Sequence, residues 1–99
     1  MPSYIIHRDG AFNLFTTITD GPVFDRGVTR EELETWYRNE YGQQGMRELP
    51  ARIARALETS CSSLLGDTLQ LLIATWARVH HKKADDFIPT FLTLPKEES

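Results

Sequence analysis

His7-Arg8-Asp9 spells the opening of a kinase catalytic loop, in which the aspartate accepts a proton from a substrate hydroxyl. That chemistry requires an asparagine five residues after the aspartate, a metal-binding Asp-Phe-Gly further on, and a Gly-rich loop and lysine upstream. Here Asn13 follows Asp9 by four residues, and only six residues precede the motif. Asp9-Gly10 instead sits between two runs rich in Ile, Phe, Leu and Thr, where Asp-Gly suits the positive-φ geometry of a hairpin turn. The three letters are therefore read as a strand end and a turn.

Thr59 to Asp67, TSCSSLLGD, gathers a thiol and three serines near one helix end. A nucleophile there needs a base within hydrogen-bond reach and an oxyanion donor, and no Gly-x-Ser-x-Gly elbow surrounds any of these serines. Cys61 falls at the edge of an apolar helix face, where free cysteine behaves as a small buried hydrophobe. Adjacent His80 and His81 point to opposite sides of a helix and cannot chelate one ion as two histidines four apart would. One cysteine forms no intrachain disulfide, and no Cys-x-x-Cys or His-Glu-x-x-His spacing marks a metal site. No catalytic residue, cofactor or metal ligand is assigned. Arg47, Arg52 and Arg55 share a helix face that suits phosphate, but Glu48 and Glu58 interleave with them, the pattern of a solvated surface.

The elements that position these residues begin with strands at 3–8 and 11–18 and a short third run at 22–25 after the turn Asp20-Gly21-Pro22. In the second arm Phe12, Leu14, Thr16 and Ile18 alternate with Asn13, Phe15 and Thr17, which predicts one apolar and one mixed face. Thr29-Arg30-Glu31-Glu32 fits a capping box that opens a first helix, with Leu33, Trp36, Tyr37 and Tyr41 in one stripe and Gly42 as its terminator. Glu40 falls inside that stripe, at the last turn, where a carboxylate reaches solvent or an arginine. Gln43-Gln44-Gly45 is read as a linker to a second helix, Arg47 to Cys61, with Pro50 in its first turn and Leu49, Ile53, Ala54, Ala56, Leu57 and Cys61 on its apolar side. Gly66 breaks the pattern and Asp67 caps a third helix, Thr68 to about Lys82, whose buried stripe is Leu69, Leu72, Ile73, Trp76 and Val79, with His80 on it. Asp85-Asp86 then caps one helical turn stopped near Pro89, and residues 90–94 are placed as a short returning strand.

At 99 residues, 40% hydrophobic and 25% charged, the composition is that of one globular domain with a core. We expect a single α+β domain over residues 1–94: an N-terminal three-stranded antiparallel meander, three helices packed on one face, and that short C-terminal strand. Residues 95–99 are expected to be a disordered tail. No signal-like segment or window of roughly 18 apolar residues is present, which predicts a cytoplasmic protein without a membrane partner.

The net charge is −3, and the acidity lies in residues 1–45, with four arginines against seven carboxylates; residues 46–99 hold seven of each. This disfavours nucleic acid as the main partner. The expected function is a small acidic, non-enzymatic interaction protein that binds and modulates a larger protein or assembly. Its compact acidic character is shared, in style alone, by phage and mobile-element inhibitors of host defence complexes. The partner-binding candidates are Leu71, Arg78 and Lys82 on the outer flank of the third helix, with Glu31 and Glu34 on the acidic start of the first. Self-association is compatible with the same surfaces. The alternatives are a small enzyme or ligand binder using Cys61 and a nucleic-acid module using Arg47, Arg52 and Arg55.

Overall fold

The structure is a computed structural model that describes residues 3–63 and 67–94. Its order is β1 (Ser3–Arg8), β2 (Ala11–Thr16), β3 (Gly21–Pro22), α1 (Arg30–Thr59), α2 (Leu69–His80), a turn of 3-10 helix at Ala84–Asp86, and α3 (Phe87–Phe91). This is the α+β arrangement that the sequence predicts, an antiparallel meander in the order β1-β2-β3 followed by helices. Gly66 and the tail 95–99 lie outside the described residues. Among the described residues no helix is long and apolar enough to cross a membrane.

The β1–β2 hairpin runs from Ser3 opposite Thr16 to Arg8 opposite Ala11, so Asp9 and Gly10 are the two turn residues. Both hold positive φ, 49° and 84°, the geometry whose twist matches the flanking strands. β2 ends two residues earlier than expected, which leaves Ile18 78% exposed on the following turn. β3 is only two residues long, because the chain bends away after pairing Pro22 with Phe15.

Helices cover both faces of the sheet rather than one. Ile5, Phe12 and Leu14 join Val28 and Leu33, Tyr37, Leu49, Ile53 and Ala56 of α1 in one core cluster. Ile6 and Phe15, with side chains on the opposite face, join Cys61, Leu69, Leu72, Trp76, Phe87 and Leu92 in a second. The physical reason is the pleat: Phe15 is as apolar as Phe12 but one step out of phase, so the face called mixed also required a cover. Trp76 provides it together with Phe87 and Phe91, whose rings lie edge-on to the indole at 5.1 and 5.6 Å.

The expected first and second helices are two arms of α1, joined at a kink where Gly42 alone leaves helical geometry, with φ 64° and ψ −152°. No linker follows, so Pro50 lies inside the second arm rather than in its first turn. The capping box at the start is as predicted: Glu32 N donates to Thr29 Oγ1 and Thr29 N to Glu32 Oε1. Glu40 is exposed, while Ala54 and Leu57, placed on the apolar side, also face solvent. α2 is capped by Thr68, which accepts from Leu71 N, rather than by Asp67. Val79, assigned to its buried stripe, is 44% exposed, and His80 is exposed as well. Asp86 makes no capping hydrogen bond. Residues 87–91 are helical where a strand was expected to begin at 90, because Phe87, Ile88, Phe91 and Leu92 recur at helical spacing toward the Trp76 cluster.

Candidate functional site

His7, Arg8 and Asp9 occupy the hairpin tip. Gly10 N donates to His7 Nε2 at 3.0 Å, which leaves the ring proton on Nδ1, and the imidazole lies 4.7 Å from the Phe12 ring. Partial burial holds the His7 pKa below its ordinary value, with nearby Asp9 opposing the shift. Arg8 and Asp9 are exposed and 3.9 Å apart. The triplet is thus a strand end and a turn.

Cys61 lies past the end of α1, not on its apolar face. Ser60 takes a left-handed conformation that ends the helix, and the chain then runs along the free edge of β1. His7 N donates to Ser60 O, Ser62 N to Ile5 O, and Ile5 N to Ser62 Oγ at 2.8 Å. One serine hydroxyl therefore completes sheet pairing. The Cys61 thiol is buried, and desolvation pushes its pKa up, the opposite of the shift that makes a thiolate nucleophile.

The three arginines do not form one surface grip. Arg47 is exposed, but Arg52 is half-buried, donating to Ser3 O and the Tyr37 hydroxyl with its guanidinium 5.8 Å from that ring's centre. Arg55 Nε donates to Ser62 O at 3.0 Å. Both tie the second arm of α1 to the strand edge.

Of the partner-binding candidates, Leu71, Arg78 and Lys82 all face solvent. Leu71 is 56% exposed, and Phe87 and Phe91 of the described C-terminal residues pack around Trp76. Its spacing to Arg78 is two helical turns, so the two align on one stripe with Val79 beside them. Glu31 is exposed and Glu34 is 3.7 Å from Arg30, one turn back. Because α1 and α2 pack on opposite faces of the sheet, the acidic and basic groups belong to separate surfaces.

Two features escaped sequence reasoning. Asn13 is fully buried: its Nδ2 donates to the carbonyls of Phe24, Arg26 and Phe91, and its Oδ1 accepts from Leu14 N and Phe24 N. The amide stands in for strand pairing where the 23–26 segment bends away, between Val23 N on Leu14 O and the two hydrogen bonds of Phe12 with Val28. The only signal was a polar residue within an apolar run. The second feature is the closing of the stripe of Trp36, Tyr37 and Tyr41, itself read from the sequence, around a kink, with Phe24 against the indole at 5.3 Å. A cleft of ≈ 190 Å³ there is lined by Tyr37, Tyr41, Gln44, Gly45 and Glu48, below the roughly 300 Å³ at which small-molecule sites begin. Two glycines three residues apart beside aromatic residues were the signal for it.

Among the described residues no three of His, Cys, Asp and Glu converge as metal ligands would. No family model, curated protein or solved structure matches this chain.

Proposed function

We propose that this chain is a non-enzymatic interaction protein that docks a larger protein on the outer face of α2. The observation that carries the reading is Leu71, 56% exposed, aligned with Arg78 on a face of α2 bordered by exposed Val79, with exposed Lys82 just past the helix end. A surface leucine that no described segment covers, on one helix face with a cation, complements an apolar patch rimmed by carboxylates. Two further observations support it over the alternatives. The one thiol is buried with a raised pKa, and two of the three arginines suited to phosphate are spent on internal carbonyls and a tyrosine.

The test is affinity co-purification from native cells, comparing wild type with Leu71→Asp and Arg78→Glu. Both positions are exposed, so melting should stay within about 0.5 kcal/mol of wild type. Loss of an interface anchor costs roughly 2 kcal/mol, so affinity for the recovered partner should fall more than about tenfold. Retention of the partner by both variants would sink the α2 assignment. Glu31→Gln and Glu34→Gln address the acidic start of α1 in the same assay. The narrower reading, an inhibitor of a host defence complex, rests on compact acidic style, and the partner's identity decides it.

A further inference from the structure

From the geometry at Gly42 we infer that the kink in α1 is a hinge that keeps the chain monomeric, and that straightening it exchanges halves between two copies. Every other residue of Arg30–Thr59 is helical, and Gly42 alone sits at φ 64°, ψ −152°, a region that only glycine occupies readily. A Cβ there would meet nothing within 4 Å, so a side chain is opposed by backbone conformation alone and not by packing. Alanine at this position therefore favours the helical geometry of its neighbours on both sides.

A straight α1 is incompatible with this monomer. At 1.5 Å per residue its thirty residues span about 45 Å, more than the molecule's longest principal dimension of 41 Å. It would also set Tyr37 and Arg52, now joined through the Tyr37 hydroxyl, about 22 Å apart along the axis. Leu33 and Tyr37 would leave Leu49 and Ile53, with which they share a core cluster. The meander and first arm would thus separate from the second arm, α2 and α3.

A second copy restores what is lost. The contacts across the hinge, Arg52 to Ser3, Ser62 to Ile5, Asn13 to Phe91 and His80 to Thr19, are all remade when one copy's N-terminal half meets the other's C-terminal half. The exchanged dimer keeps every native interface and loses the strained residue, which is the condition under which swapping through a short hinge is cheap. The occupant of the exposed core face is therefore a second copy of this chain.

The test is Gly42→Ala, followed by light scattering after gel filtration over a concentration series. Wild type is expected to run at the 11.4 kDa of one chain, and the variant at twice that mass with native far-UV circular dichroism. Exchange is separated from side-by-side pairing with Ile6→Cys and Cys61→Ala together in one Gly42→Ala population and the native Cys61 in another, unfolded together and refolded under oxidising conditions. Positions 6 and 61 suit this because they face each other as bridge partners across the hinge. Exchange sets the two thiols, carried by different chains, opposite one another and yields a disulfide-linked heterodimer, whereas side-by-side pairing keeps them apart, yields none and overturns the inference. Inserting Gly-Gly-Ser after position 42 in the Gly42→Ala background should restore the monomer. A Gly42→Ala protein that is folded and monomeric at all concentrations overturns the inference. If Gly42→Ala does not fold, Gly42→Ser, which also favours helical geometry, carries the same test, and a folded monomer at all concentrations would be equally decisive.

Discussion

Replacing Asn13 by alanine should be the most damaging single truncation of a polar side chain in this protein. The amide makes five hydrogen bonds, donating to the carbonyls of Phe24, Arg26 and Phe91 at 3.1, 3.2 and 2.9 Å and accepting from Leu14 N and Phe24 N at 2.8 and 3.1 Å. Two amide protons serve three carbonyls, so the donor side counts as about two bonds, roughly 1 kcal/mol each. On the acceptor side, two backbone N–H groups lose their partner, at about 1 kcal/mol or more apiece. The expected loss is about 3–5 kcal/mol, a large part of the roughly 5–15 kcal/mol that holds a domain of this kind. Urea unfolding followed by the fluorescence of Trp36 and Trp76 measures it, with the slope unchanged if only stability moves. Asn13→Asp adds a sign. A carboxylate keeps both acceptor contacts but faces three carbonyl oxygens, which raises its pKa in the folded state, so the variant should recover stability relative to wild type as pH falls toward 4. A loss below about 1 kcal/mol for Asn13→Ala, or an Asn13→Asp protein that worsens on acidification relative to wild type, would refute the account.

Three further outcomes follow. At the hairpin tip, Asp9→Asn should cost little because asparagine tolerates φ 49°, whereas Gly10→Val, forced toward φ 84°, should lose about 1 kcal/mol or more in thermal melts; a fully stable Gly10→Val protein would contradict the turn geometry. Gly27→Ala would bring a Cβ within 2.7 Å of Thr93 N and O, so the segment after α3 must move, at about 1–3 kcal/mol, with faster amide exchange over 87–94 as the readout. Burial lowers the His7 pKa in the folded state, so the unfolded chain binds more protons near pH 6 and the His7 contribution is present above its ordinary pKa and lost as pH falls through the folded value. Wild type should therefore lose more stability than His7→Gln between pH 7 and 5, and identical pH profiles would exclude the buried neutral imidazole.

What was legible in the sequence is what is local. The Asp9-Gly10 turn and the Thr29–Glu32 capping box depend on residues within a few positions of one another, and both form as read. Gly42 was recognisable as a break, yet one residue cannot announce whether a helix stops or merely turns. Asn13 hid the second buried face, because a polar residue on the alternate side of a strand reads as solvent-facing. Apart from the adjacent Leu14 N, its partners are backbone atoms 11 to 78 positions away, and backbone groups carry no letter in a sequence. The same blindness put Arg52 and Arg55 on a solvated face, since both bond main-chain oxygens. Periodicity located the stripes of α2 and of the second arm of α1, but the width of each stripe is set by what packs against it. That is why Val79, Ala54 and Leu57 face solvent.

The sheet's own hydrogen bonding narrows how a partner can be held. Exposed strand edges recruit extended peptides through main-chain pairing. Here the outer edge of β1 is taken at Ile5 and His7 by Ser60 and Ser62. Along the other side of β2, Phe12 pairs with Val28, Leu14 O accepts from Val23 N, Leu14 N donates to Asn13 Oδ1, and β3 covers Phe15 and Thr16. Strand addition at these positions would first have to break native hydrogen bonds, among them those of Asn13, which the unfolding experiment measures. Recognition by this chain is therefore more cheaply made by side chains on a helix already in solvent, and exposed Leu71 in the first turn of α2 lies two turns from Arg78 on such a face.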